Sequence, residues 1–202
     1  MKEIFGIFVL ATMLAVPAMA SAAAQDVHIA PPELCTCGLF HPAIAARDRT
    51  ITDAEGKSVV LRESPRPDFF HYTNERSPFT VDIPALFTQA VVIPDNGDGI
   101  ILRDPENKAR FRASGGRLVG KLTIREFFES ERKSLGVKPA YEKLGKNFFV
   151  LSWLEDGNIH YRKLILNGDA WADMEMSYPT ERKKEFDPLV THSAQSLKYF
   201  IE

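Results

Sequence analysis

Two cysteines one residue apart, Cys35 and Cys37 in the run LCTCGLFH, are the most reactive side chains in this chain. In an oxidising compartment such a pair suggests a disulfide. A Cys-x-Cys bond closes a very small, strained ring, and strained disulfides are the more easily reduced ones. His28 and His41 stand nearby, so a redox pair or a thiolate–imidazole metal site is a second reading. Metal sites of that kind usually draw on a second spaced ligand pair, and the sequence offers none. Inert thiols are the third reading, and the residues leave all three open.

Other chemistry is sparse. No serine stands in a G-x-S-x-G context, and Ser152 lies in an apolar run where its hydroxyl is expected to bond backbone. Gly115–Lys121 lacks the spacing of a phosphate-binding loop and the Ser or Thr after its lysine, so a plain loop is expected there. Asp95 and Asp98 fall in a DNGDG turn and lack the alternating ligands of a calcium loop. His160 and Arg162 share one face of a strand with Tyr161 on the other, and a solvent-facing edge is expected. His192 falls on the flank of the last helix. No catalytic residue, cofactor or metal set is therefore expected, and the chain is read as a non-enzyme.

Charge offers a different kind of site. The net charge is −2, which argues against a general nucleic-acid binder. The distribution is uneven: Glu106–Asn147 holds 11 basic and 5 acidic residues, whereas Asp26–Pro105 holds 7 and 12. Arg110, Arg112, Arg117, Lys121 and Arg125 form a candidate patch for an acidic partner or polyanion. Solvated charges scattered over strands and a helix are the competing reading.

Residues 1–22 read as a cleavable signal peptide. Lys2 precedes the apolar run Ile4–Val16, Pro17 breaks it, and Ala18-Met19-Ala20 offers small residues at the cleavage spacing. The run is shorter than the ~20 residues a spanning helix needs. A periplasmic or secreted protein is expected, with no transmembrane segment in the mature chain. Residues 23–69 read as an irregular extension, with Pro31, Pro32, Pro42, Pro65 and Pro67 and one possible hairpin, Arg49–Thr52 with Ser58–Leu61.

From residue 70 to 202 the pattern is regular and predicts a globular domain. Phe79–Ile83 alternates with period two, and strands follow at Ile100–Arg103 and Lys108–Ser114. Thr123-Ile124-Arg125-Glu126 is a capping box, so a helix is predicted to Leu135 with Gly136 as its left-handed cap. Four strands follow over Ala140–Leu144, Asn147–Leu154, Ile159–Leu166 and Trp171–Tyr178. The run FFVLSWL is expected to lie centrally, covered on both faces. A last helix is expected from Asp187-Pro188 as cap and first position. The order predicts an α+β domain, a mostly antiparallel sheet of about six to seven strands with helices packed on it.

FTVDIP, the NGDG turn, NFFVLSWLEDGNIHYRK, and SYP followed by FDPLVTHSAQSLK resemble uncharacterised exported bacterial proteins of the PsbP-like superfamily. That fold is shared with the chloroplast oxygen-evolving subunit and a Ran-binding nuclear import factor. The resemblance covers roughly residues 70–199. It implies an α-β-α sandwich and a non-enzymatic adaptor or binding role, and supplies no catalytic residue. The expectation of an unknown protein or acidic partner in the cell envelope rests on the basic patch.

Overall fold

The computed structural model describes residues 48–120 and 122–200. In chain order the strands and helices are β1 (Arg49–Thr52), β2 (Ser58–Glu63), β3 (Phe69–Asn74), β4 (Phe79–Pro84), β5 (Gln89–Val92), β6 (Gly99–Arg103), β7 (Arg110–Arg117), α1 (Ile124–Ser134), β8 (Tyr141–Leu144), β9 (Phe148–Glu155), β10 (Asn158–Asn167), β11 (Ala170–Pro179), α2 (Lys183–Ser196) and β12 (Lys198–Tyr199). They build two antiparallel sheets, a five-stranded one ordered β1-β2-β3-β4-β12 and a seven-stranded one ordered β5-β6-β7-β11-β10-β9-β8. The expected α+β class holds. The single sheet of six to seven strands becomes a seven-stranded sheet with a second sheet stacked on it.

The period-two pattern explains the stacking. Phe79, Val81 and Ile83 of β4 meet Leu102, Phe111, Ala113, Met174 and Met176 of the larger sheet in one continuous core. Phe186, Val190 and Ala194 of α2 join it. On the opposite face of the larger sheet, Phe128 of α1 seals a second cluster with Phe149, Leu151, Trp153 and Leu164. The layers are therefore α1, the seven-stranded sheet, then the five-stranded sheet with α2.

Local signals set the ends of α1 as predicted. The Glu126 amide donates to Thr123 Oγ1 at 3.2 Å, and the Thr123 amide donates back to Glu126 Oε2 at 2.8 Å. Gly136 follows with φ +69°. No helix of the described residues is long and apolar enough to cross a membrane.

Several expectations change. The hairpin of β1 and β2 forms, but within the folded body: Leu61 is fully buried, and Arg62 and Glu63 pair with His71 and Phe70. Residues 49–69 therefore belong to the folded body. Pro65 and Pro67 sit in the β2–β3 connection, where a missing N–H costs the ladder nothing. Gly115–Arg117 is not a loop but the end of β7, paired with Ala170–Ala172. A side chain on Gly115 would lie 2.8 Å from Ser77 Cβ and 2.9 Å from the Phe79 ring, so glycine is what lets β7 approach β4. Strand β9 is buried on both faces yet lies next to edge strand β8 rather than centrally. Helix α2 starts at Lys183 after a 3₁₀ turn, Thr180–Arg182, and carries Pro188 inside its first turns. Asp187 takes Lys183 Nζ at 2.6 Å instead of capping the helix.

Candidate functional site

The candidate site is the outer face of the seven-stranded sheet, where alternation and register bring charged residues from four strands together. Arg103 pairs with Arg110, Ile101 with Arg112, Arg112 with Glu175, Ser114 with Asp173, and Arg162 with Glu175. All these side chains leave the same face. Helix α1 covers the β9–β10 half of that face, and the β6–β7 half is open.

Beneath α1 the charges are paired. Asp173 is fully buried. It accepts from Ser114 Oγ at 2.6 Å, Arg112 Nη2 at 2.7 Å and Arg162 Nε at 2.6 Å. Arg162 also bonds Glu131 of α1, which ties the helix to the sheet. Burial works against the Arg162 charge, but Asp173 and Glu131 outweigh it and raise its pKa. Glu175 lies 3.1 Å from Arg112 Nη2 and 3.6 Å from His160 Nδ1. Burial would raise the Glu175 carboxyl, yet His160, Arg112 and Arg162 hold it below the ordinary glutamate value. The His160 ring stacks on Trp153 at 4.8 Å.

The open half is different. Arg103 donates to two neutral acceptors, Gln89 Oε1 at 2.9 Å and Asn107 Oδ1 at 3.3 Å. Arg110, directly opposite, is exposed. No carboxylate among the described residues is within ion-pair reach of either. A recess of about 190 Å³ opens beside Arg110, lined also by Ile101, Arg112, His160, Glu175 and Ser177.

The predicted patch is only partly assembled. Arg110 and Arg112 share the face, but Arg112 points inward to Asp173. Arg117 has the opposite parity on β7, emerges on the other face, and is held by both oxygens of Asp169 at 3.0 Å. It lines a separate cleft of about 720 Å³ with Thr73, Glu75 and Tyr199. Arg125 is exposed on the first turn of α1. Lys121, Cys35, Cys37, His28 and His41 lie outside the described residues.

His160 and Arg162 do not face solvent as expected, because α1 lies over Arg162 and Trp153 stacks on His160. Ser152 does bond backbone, donating to the His160 carbonyl at 2.8 Å. Asp98 and Asp95 pair with Arg76 and Lys57, which fits a turn. Arg103 was missed; the signal was the β6–β7 hairpin itself, whose register sets the two arginines opposite each other. Also missed was a carboxylate shared by two imidazoles, Asp82 with His71 Nδ1 and His192 Nε2, each at 2.8 Å. Among the described residues no group of three or more His, Cys, Asp or Glu is placed to hold a metal ion.

No family model matches this chain, and no curated protein sequence matches it. Among the described residues its fold is α+β, two antiparallel sheets with two α-helices. It is similar to cyanobacterial PsbP (CyanoP) from Synechocystis sp. PCC 6803, at 11% identity over 66% of this chain and 93% of that one, with a TM-score of 0.48. It is also similar to a protein of Bacteroides thetaiotaomicron VPI-5482, at 16% identity over 65% of this chain and 48% of that one, with a TM-score of 0.43. These are likenesses of fold alone.

Proposed function

We propose that this protein is an exported, non-enzymatic binding or assembly module that holds an acidic partner against the open half of its seven-stranded sheet, in the cell envelope. The observation that carries the reading is the Arg103–Arg110 pair. Like charges directly opposite in a ladder destabilise the sheet. Here Arg110 is exposed, Arg103 bonds only neutral acceptors, and neither is matched by a described carboxylate. An anionic partner relieves that repulsion, and the free protein has no described group that does. Export rests on the charged start, apolar run and cleavage spacing of residues 1–22.

The test uses fluorescently labelled decaglutamate, read by anisotropy at low and high salt. Arg103→Gln and Arg110→Gln should each weaken binding severalfold and flatten its salt dependence. Arg117→Gln, on the other face, should leave it unchanged. Binding no tighter than that of decaglutamine removes the proposal.

A further inference from the structure

Away from the charged face, the cleft of about 720 Å³ draws on both sheets. Glu75 comes from the turn after β3, Asn167 and Asp169 from the β10–β11 hairpin, and Arg117 from the end of β7. Tyr199 of β12 and Phe200 after it add two aromatic rings to the lining. Backbone hydrogen bonds fix both rings in place: Tyr199 pairs with Phe79 of β4, and the Phe200 amide donates to the Pro78 carbonyl at 3.2 Å. The polar groups are only partly used. Arg117 Nη1 takes both oxygens of Asp169, and its Nε and Nη2 donate to nothing among the described residues. Glu75 and Asn167 are exposed, and neither side chain has a hydrogen-bond partner among the described residues. The Tyr199 hydroxyl reaches the Ile165 carbonyl only at 3.5 Å, long for an O–H···O bond.

We propose that this cleft binds a short neutral saccharide. The site is separate from the acidic-partner face and does not rest on it. Its volume falls within the roughly 300–1,000 Å³ of small-molecule sites. Charge selects against ionic ligands. An anion there meets the carboxylates of Glu75 and Asp169, and a cation meets the Arg117 guanidinium, whereas an uncharged ligand meets neither repulsion. The unused positions are of both kinds. Arg117 offers donors, Glu75 offers acceptors, and the Asn167 amide and the Tyr199 hydroxyl offer one of each. Sugar hydroxyls both donate and accept, so neighbouring hydroxyls use a mixed set that a purely donating or purely accepting ligand would leave half unmet. Hydrogen bonds to Arg117 and Glu75 are charge-assisted, which makes them the stronger ones available to a neutral ligand. Tyr199 and Phe200 supply apolar surface for the C–H groups of the sugar rings.

The experiment is NMR of the full mature chain labelled uniformly with ¹⁵N, with maltotriose, cellotriose and chitotriose as ligands. At least one should move the Asn167 side-chain and Ala170 backbone amide signals saturably at millimolar concentration, equally at low and high salt. Arg117→Gln and Asn167→Ala, both at exposed side chains, should each weaken that binding severalfold. Arg103→Gln should leave it unchanged, the reverse of its effect on decaglutamate. Glu75→Gln keeps an acceptor and removes the charge, so it should change saccharide binding little. Tetralysine moving the same signals where no saccharide does, with the effect lost in Glu75→Gln and at high salt, would replace the sugar with a cationic segment and overturn the proposal. Signals unmoved by all three saccharides also overturn it, and leave the decaglutamate face standing.

Discussion

Nε2 of His192 on α2 lies 2.8 Å from Oδ2 of Asp82 on β4, across 110 residues of sequence. The other oxygen of Asp82 meets His71 Nδ1 at 2.8 Å. The backbone amide of Asp82 donates to Ser196 Oγ at 2.8 Å, so α2 stands where β12 no longer reaches as a ladder partner. Both imidazoles donate, which leaves Nδ1 of His192 as an acceptor for Arg66, 3.2 Å away. One carboxylate thus fastens the last helix to the smaller sheet.

Asp82→Ala should therefore loosen α2 and lower stability by about 2 kcal/mol, the scale of leaving charged hydrogen bonds unmade. Urea unfolding followed by circular dichroism measures it. Hydrogen exchange should show the loss concentrated in α2, with α1 unaffected. Equal loss of protection in both helices would count against the fastening role.

Asp173 is the harder group to remove. It is fully buried and neutralises Arg112 and Arg162, themselves largely covered. Asp173→Ala leaves two guanidinium groups facing each other without their shared counter-charge, and breaking a buried pair costs about 3–5 kcal/mol. The double change Asp173→Ala with Arg162→Met should recover part of that loss, because it removes one of the two mutually repelling cations that have lost their shared counter-charge. A double mutant no more stable than Asp173→Ala would show that the cation is not what costs the energy. Thermal melts decide between them.

What the sequence disclosed and what it hid follow from the range of each interaction. The capping box of α1 spans four residues, and its helix begins where Thr123 and Glu126 put it. The Asp53–Gly56 turn is equally local, and the β1–β2 hairpin was legible from it. The second sheet was not, because its two hairpins join through only two pairs between β2 and β3, and its last strand, β12, comes from the far end of the chain to pair with β4. The charged face was half visible. Arg110 and Arg112 were read as a patch, but Asp173, 61 residues from Arg112, could not be assigned to it from spacing. Arg117 was grouped with them by proximity in sequence, although five residues beyond Arg112 on a strand is an odd step and lands on the opposite face.

Gly115 tests the stacking of the two sheets. Its missing side chain leaves room for the Phe79 ring, and Gly115→Ala would place a carbon 2.9 Å from that ring. Phe79 is fully buried and has no free direction in which to move. The substitution should cost about 1–3 kcal/mol, as overpacking does. A melting temperature equal to the parent protein's would show that the two sheets shift apart freely. Gly116→Ala meets the Trp171 indole at 3.2 Å, a looser contact, and should cost less.

Acid should unfold this protein through carboxylates held charged by the fold. Asp104 accepts from the amides of Lys108 and Ala109 at 2.8 and 3.0 Å and from Arg182 Nη1 at 2.8 Å. Burial raises its pKa, but the Ala109 amide, Arg182 and the Lys108 amide outweigh that and hold it below the ordinary 3.8. Glu175 is likewise held below its ordinary 4.5. A carboxyl whose folded pKa is depressed binds fewer protons folded than unfolded at mildly acidic pH. Its stabilisation is complete above the unfolded value and is lost as pH falls from there through the folded one. Unfolding free energy should therefore be flat with respect to these two groups above about pH 5 and fall steadily below their ordinary values. Asp104→Asn should remove part of that slope. Urea midpoints measured from pH 7 to pH 3 give the slope, and an Asp104→Asn protein as acid-sensitive as the parent would remove Asp104 from the account.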